Sequence, residues 1–221
     1  MVLENQELAQ KLSETGKYLL VNQLAWGTSG NMSARIDEKQ MLITSSGTNM
    51  GNLSTDDFTV CTIDSGDWSG LRKPSKEVPM HKGIYQERKD ARVILHSSPF
   101  YTTLLACSGE RIMSELFIET MYYLENVAFV DYHHPGTKEL GDAVKKQAAC
   151  ANIMIMKNHG VILFDDSFSD AIMRLETLEM TCRMIVTAKS AGVELKKIPD
   201  HVVQEFREKS IYKPRKSKIY R

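Results

Sequence analysis

Two histidines in this chain are delivered in the same way. Arg92-Val93-Ile94-Leu95-His96 is an apolar run that ends on a histidine and halts at Pro99, and Ile153-Met154-Ile155-Met156 leads directly into Asn158-His159-Gly160. A neutral imidazole at the end of a buried strand is a ready ligand mount, and two such strands in one sheet could bring both rings onto a divalent metal. The same residues also fit two strand-end histidines satisfied by their surroundings. His133 and His134 precede Pro135-Gly136, and because neighbouring strand residues face opposite ways, at most one of them could join. Glu77 is the accompanying carboxylate. Metal and carboxylate together suffice to take a proton from carbon beside a carbonyl, with the carboxylate as base or acid. A glutamate at a helix entrance is equally well placed by the helix dipole alone.

Three further segments combine glycine or proline with small hydroxyl or amide residues: Gly27-Thr28-Ser29-Gly30-Asn31, Thr44-Ser45-Ser46-Gly47 and Pro74-Ser75-Lys76. Backbone N–H groups freed at tight turns, with hydroxyls and one ammonium, suit a phosphate monoester. Each alone is an ordinary turn signal. No Walker or dinucleotide fingerprint occurs, which argues against a nucleotide.

The elements that must position these residues follow from periodicity. Leu8, Leu12 and Leu19 predict an amphipathic helix from about residue 7 to 22. Met32, Ala34 and Ile36 alternate with polar residues, and Asp37-Glu38-Lys39 turns the chain into Met41-Leu42-Ile43, a hairpin. Phe58 to Ile63 reads as a strand. Pro79 suits the first turn of a helix with Met80 and Ile84 inward, which places Glu77 at its entrance. The strand to His96, a helix from Phe100 to Cys107, the strand Val127–Val130 and a Thr137-capped helix come next. Ile153–Met156 reads as a strand buried on both faces, Val161–Phe164 as another, and Asp166 or Ser167 caps a long helix ending near Gly192. Strands and helices with at least one hairpin predict a single mixed α/β sheet layered by helices.

Composition narrows the function classes. The chain has 221 residues, with 28 basic and 28 acidic side chains. That balance gives no net field toward nucleic acid, a membrane surface or an acidic partner. Four dispersed cysteines, Cys61, Cys107, Cys150 and Cys182, suit buried thiols in a reducing compartment. The first residues are too polar for a signal peptide, and no segment approaches the roughly 20 consecutive apolar residues of a membrane span. The expectation is a cytoplasmic protein with one domain over residues 1–208 and a basic tail, 209–221, in which Tyr212 and Tyr220 are interleaved.

Taken together, Gly27-Thr28-Ser29-Gly30-Asn31-Met32-Ser33, Ile43-Thr44-Ser45-Ser46-Gly47, Pro74-Ser75-Lys76-Glu77 with His81, the strand to His96 and Asn158-His159-Gly160 resemble the class II aldolase/adducin-head family in order and spacing. The L-fuculose-1-phosphate aldolase branch is the nearest likeness, over roughly residues 5 to 192. The resemblance implies a three-layer α/β/α sandwich on a largely antiparallel central sheet, commonly a homotetramer with active sites between subunits. It implies phosphate contacts from Thr28, Ser29, Gly30, Asn31, Ser46, Gly47, Ser75 and Lys76, and a proton-shuttling glutamate at Glu77. It also implies zinc held by His96 and His159. The family's middle ligand, from a His-x-His, falls on Ser98, and a serine hydroxyl is a poor zinc ligand. Glu77 could then complete a two-histidine, one-carboxylate set, His134 or another donor could substitute, or the metal could bind weakly or not at all. Tyr122 and Tyr123 are both candidates for the branch's acid, and both also read as core or interface aromatics. The tail is either a cover for a neighbour's site or a solvated end. The implied activity is metal-dependent reversible aldol cleavage of a small ketose phosphate to dihydroxyacetone phosphate and an aldehyde. Epimerase, decarboxylase or dehydratase chemistry on a related sugar phosphate is the enzymatic alternative, and a metal-poor adducin-like scaffold the non-enzymatic one.

Overall fold

The computed structural model describes residues 2–209 and Tyr212. Eight strands form one sheet: β1 (Asn31–Arg35), β2 (Gln40–Thr44), β3 (Phe58–Thr62), β4 (Trp68–Ser69), β5 (Val93–Ser97), β6 (Val127–Val130), β7 (Ile153–Met156) and β8 (Gly160–Asp165). Their order across the sheet is β4-β3-β2-β1-β5-β8-β7-β6. Only β6 and β7 pair parallel; the other neighbours are antiparallel. The helices are α1 (Val2–Val21), α2 (Val78–Glu87), α3 (Phe100–Ser108), α4 (Ile118–Tyr123), α5 (Lys138–Ala148), α6 (Phe168–Ala191) and α7 (Asp200–Lys209).

Strand alternation divides the buried residues between two helical layers. Met32, Ala34, Leu95 and Leu163 face a core shared with Leu12 and Leu19 of α1 and with Leu175, Leu178 and Cys182 of α6. Met41, Ile43, Ile94 and Ile162 face the other way, onto Met80, Ile84 and Tyr85 of α2 and Val144 of α5. This is the α/β/α sandwich on a largely antiparallel sheet, and every strand and helix predicted from periodicity is present. Three elements carried no readable signal. β4 is only two residues long, α4 has fewer than two turns, and α7 turns just Val203 and Phe206 inward, onto Met121. The tail beyond Lys209, apart from Tyr212, lies outside the described residues. Among the described residues no helix is long and apolar enough to cross a membrane, and the four cysteines are free.

The second core fixes the angle of α2. Arg35 is buried, and its guanidinium donates to the carbonyls of Ala91, Tyr85 and Arg88 at 2.9, 2.7 and 2.9 Å while lying 4.5 Å over the Tyr85 ring. It thereby ties the end of α2 to the end of β1. At the entrance of α2, Glu77 occupies the N-cap position but makes no capping bond to the helix. Its carboxylate is directed into the protein.

The β7–β8 turn is held at very close range to β5. Gly160 has φ +143°, and a Cβ there would stand 2.6 Å from the Ser97 carbonyl oxygen and 2.7 Å from Ser98 Oγ. Gly160→Ala should therefore destabilise the chain by roughly 1–3 kcal/mol, measurable as a lowered urea midpoint with an unchanged m-value.

Candidate active site

β5 carries His96 to the centre of the sheet, where it lies opposite Asn31 of β1 and Ile162 of β8. His159 belongs to the tight turn between β7 and β8, where Asn158 takes φ +57°. The antiparallel pairing of β5 with β8 brings the two rings edge to face, with centroids 4.9 Å apart. Glu77 enters from α2 on the same side. Its Oε2 lies 3.0 Å from His96 Nε2, and its Oε1 lies 3.2 Å from His159 Nε2. Asn31 Nδ2 donates to Oε2 at 2.8 Å.

The charge state follows from these partners. Burial by itself would raise the Glu77 pKa, but the neighbouring His96, the close contacts with both imidazoles and the Asn31 amide hold it far below the usual carboxylate range. Burial would likewise lower His96, and the Glu77 carboxylate more than reverses this, raising it. His96 Nδ1 donates to the Val161 carbonyl at 2.8 Å, so Nε2 is the nitrogen left for the site. It can offer a lone pair to a metal or a proton to Glu77.

One donor atom from each of Glu77, His96 and His159 lies within 4.8 Å of the other two. Two imidazole nitrogens and a carboxylate oxygen form a donor set that suits a divalent transition metal. Two further features fit an ion. The imidazole of His96 is oriented from behind by a carbonyl, and Glu77 Oε1 is buried without a conventional hydrogen bond. Of the third-ligand alternatives, the structure gathers Glu77 and not His134, which is exposed beside the Tyr132 hydroxyl at 3.1 Å. Ser98 Oγ donates to the His159 carbonyl at 3.1 Å and lies 3.3 Å from Ser29 Oγ. The hydroxyl at this position ties the His159 turn to β5 and the Ser29 loop.

A cavity of about 460 Å³ opens above the carboxylate. Its walls include Thr28, Ser29, Gly30, Asn31, Ser46, Gly47, Ser75 and Lys76 as well as Glu77, His96 and His159. The three turn segments, far apart in the chain, thus share one space with the imidazole pair. Two of them are stitched together by Ser75 N donating to the Thr44 carbonyl and Ser46 N to the Lys73 carbonyl, at 3.0 and 2.9 Å. Gly30 approaches the sheet so closely that a Cβ would stand 2.4 Å from the His96 carbonyl oxygen. Asn31 has a different role from its neighbours in the loop, because its side-chain amide is tied to Glu77 and His81. Its amide is thus bonded to the carboxylate while the residue also lines the cavity.

Within one chain the two candidate tyrosines lie away from this cavity. Tyr123 is fully buried and donates to Asp170 at 3.2 Å, while the Tyr122 ring packs against Tyr123 and Tyr212. Both are on α4, which packs on α6 and α7, and neither lines the cavity. Sequence reasoning also gave no role to Trp26, Thr103 and Pro135, which border the cavity, or to His81, whose spacing of four residues from Glu77 on α2 was the available signal.

Comparison with known proteins agrees with this geometry. Residues 10–186 match the model of the Class II Aldolase and Adducin N-terminal domain. The chain belongs to that family. Among its curated relatives, 3-oxo-tetronate 4-phosphate decarboxylase of Haemophilus influenzae is 28% identical over 207 residues, covering 90% of this chain and 97% of the relative. L-fuculose phosphate aldolase of Methanococcus maripaludis is 31% identical over 154 residues, covering 69% of this chain and 82% of the relative. Among solved structures, an L-fuculose 1-phosphate aldolase superposes with TM-score 0.81 at 29% identity, covering 93% of this chain and 97% of that one. YgbL of Klebsiella pneumoniae, described as a candidate aldolase, epimerase or decarboxylase, superposes with TM-score 0.81 at 28% identity, covering 91% and 98%. The relatives named as decarboxylase and aldolase are lyases, and so in kind is this chain.

Within this class II aldolase domain the buried Glu77–His96 pair has a defined pH signature in metal-free protein. The depressed Glu77 stabilises the fold above its ordinary value of 4.5 and loses that contribution as pH falls. The elevated His96 stabilises it below its ordinary value of 6.5 and loses that contribution as pH rises through the folded value. Urea unfolding in the presence of chelator should therefore show the pair's contribution greatest between about pH 4.5 and 6.5, and Glu77→Gln should abolish that maximum. Ser98→Ala should lower stability by about 1 kcal/mol and leave metal affinity within about twofold, read by calorimetric titration with zinc.

Proposed function

We propose that the chain is a metal-dependent carbon–carbon lyase acting on a small phosphorylated sugar acid or ketose, with decarboxylation of a 3-oxo sugar-acid phosphate as the favoured reaction. The observation that carries this reading is the Glu77 carboxylate set between His96 and His159 at the floor of a cavity walled by Thr28, Ser29, Ser46, Gly47, Ser75 and Lys76. Phosphate would be held by the turn N–H groups, the hydroxyls and the Lys76 ammonium, leaving the reacting carbons over Glu77. His96, His159 and Glu77 would hold a divalent ion, zinc being suited to such donors. That ion, when bound, supplies Lewis acidity to the substrate's carbonyl oxygen.

The balance of proton transfers favours decarboxylation. A 3-oxo acid loses carbon dioxide when the bond from its α-carbon to the carboxylate breaks and the electron pair passes through the α-carbon onto the carbonyl oxygen. No proton is removed from the leaving group, and one is then added at carbon. Glu77 is the carboxylate on the cavity floor, and once substrate takes its place beside the ion it would be free to deliver that proton after taking it from solvent. Aldol cleavage needs a proton removed from the hydroxyl of the bond being broken as well as one supplied to the carbanion carbon. Within one chain neither Tyr122 nor Tyr123 lines the cavity to share that work. The likeness to the decarboxylase of Haemophilus influenzae over nearly both full lengths supports the same choice. Aldol cleavage of a fuculose-1-phosphate-like ketose is the second reading, supported by the likeness to the aldolases.

A neighbouring copy of the chain is proposed to complete the site, in a homotetramer. An apolar groove bounded by Leu20, Trp26, Phe100 and Leu104 adjoins the cavity at Ser98 and Thr103, and Trp26 and Phe100 are 63% and 68% exposed. The free cysteines are in keeping with a cytoplasmic setting.

The test is a panel of 3-oxo sugar-acid phosphates and ketose phosphates, with release of carbon dioxide and of aldehyde followed separately. The expected result is carbon dioxide release that is lost on chelation and restored by zinc or another divalent ion. Glu77→Gln should lower kcat by about 10²-fold or more, and Lys76→Ala should raise KM about tenfold with kcat little changed. Aldehyde release alone would move the assignment to the aldolase reading, and no divalent ion bound after reconstitution would overturn both.

A further inference from the structure

We propose that His81 is a positioning residue that acts through Asn31 to fix the Glu77 carboxylate, holding Oε2 beside His96 and leaving Oε1 as the working oxygen. The inference rests on the reading of Glu77 as ligand and proton carrier given above. His81 is fully buried on α2 and is not among the residues lining the cavity. It reaches the site only through a chain of hydrogen bonds, and the chemistry of that chain allows one arrangement.

An ionised carboxylate only accepts, so the Asn31 group facing Glu77 Oε2 at 2.8 Å is the amide nitrogen. The amide oxygen is therefore the atom 2.6 Å from His81 Nε2, and it must be met by an N–H. His81 is accordingly the Nε2–H tautomer, with Nδ1 accepting from the Ser33 hydroxyl at 2.7 Å. The Tyr85 hydroxyl stands 3.1 Å behind Ser33. Burial and the nearby His96 lower the His81 pKa to about 3 despite the opposing pull of Glu77, so the ring stays neutral through the working range.

An asparagine amide is almost symmetric in shape, and rotating it by half a turn exchanges oxygen and nitrogen with little steric consequence. Turned that way, Asn31 would present a second acceptor to a buried carboxylate. The N–H of His81 is what makes one sense much better than the other. β1 places Asn31 and Ser33 on one face by strand alternation, and α2 presents His81 to both, so the device is built into the packing of α2 on the sheet. In the metal-free protein Oε2 then has two donors, Asn31 and His96, and Asn31 remains its donor when His96 Nε2 turns its lone pair to an ion, whereas Oε1 has the ring nitrogen of His159 nearby. The asymmetry leaves Oε1 as the oxygen that can take or give a proton without breaking the anchor.

The experiment compares His81→Leu, which removes the donor, with His81→Gln, whose amide can donate in its place. Folding is checked by circular dichroism, and each protein is titrated with zinc by calorimetry. His81→Leu is expected to lose about 10–100-fold in zinc affinity and a similar factor in kcat, with KM within about threefold because the phosphate-binding turns are untouched. His81→Gln is expected to recover most of both losses. A folded His81→Leu with the parent's zinc affinity and kcat would overturn the proposal, as would a His81→Gln as impaired as His81→Leu. Should His81→Leu fail to fold, ¹⁵N NMR of the parent decides, since an Nδ1–H tautomer at neutral pH contradicts the chain of donors described and an Nε2–H tautomer supports it. If no compound in the panel is turned over, the proposed function fails while the zinc titration and the tautomer still decide the role of His81.

Discussion

A buried ionised carboxylate is the constraint on which this structure depends. An uncompensated charge in such a place is too expensive to persist, so a protein that keeps one must surround it with donors. Glu77 receives them from three separate elements: Asn31 on β1, His96 on β5 and His159 at the β7–β8 turn. Placing those donors requires β5 to be flanked by β1 on one side and β8 on the other, as the sheet order provides. It also requires α2 to lie on the face to which Asn31 and His96 both point. The Arg35 anchor to the end of α2, the Gly160 contact with β5 and the close approach of Gly30 to His96 all hold those elements at the necessary distances.

The same constraint explains the polarity of the cavity. Its floor carries titratable and metal-ligating groups, and its walls carry hydroxyls, turn amides and the exposed Lys76. The proposed ligand, with phosphate at one end and a carbonyl at the other, has the same division. Ser98 fits it too. As a hydroxyl it does not add a strong metal ligand, yet it ties the His159 turn to β5 and to the Ser29 loop. The two-imidazole, one-carboxylate set is thus held by the backbone around it, and Ser98 helps to hold that backbone.

Membership of the class II aldolase family is compatible with more than one way of breaking a bond between carbons. The relatives include decarboxylases and aldolases. The reactions share an electron sink at a carbonyl and differ in how many protons must be moved. Within one chain Tyr122 and Tyr123 pack around α4, away from the cavity, and it is on this that the proposed preference for the simpler of the two rests.

Most of the fold was legible in the sequence because periodicity is a local property. Alternation in Met32–Ile36, the apolar runs ending at His96 and Met156, and the caps at Thr137 and Ser167 report on nearest neighbours, and the structure follows them. α4 and β4 were not legible because they are short, and α7 because it turns only Val203 and Phe206 inward. The candidate site divides in the same way. Its residue types, His96, His159, Glu77 and the three turn segments, could be named from strand ends, helix entrances and glycine-rich turns, and the family resemblance gave them roles. Which carboxylate stands between the imidazoles, that Asn31 serves that carboxylate, that Ser98 bonds a carbonyl, and that α4 holds the tyrosines away were decided only by the tertiary structure. These outcomes depend on strand order and on the packing of α2 against the sheet, which join residues up to about 130 positions apart and leave no trace in any local stretch of the chain.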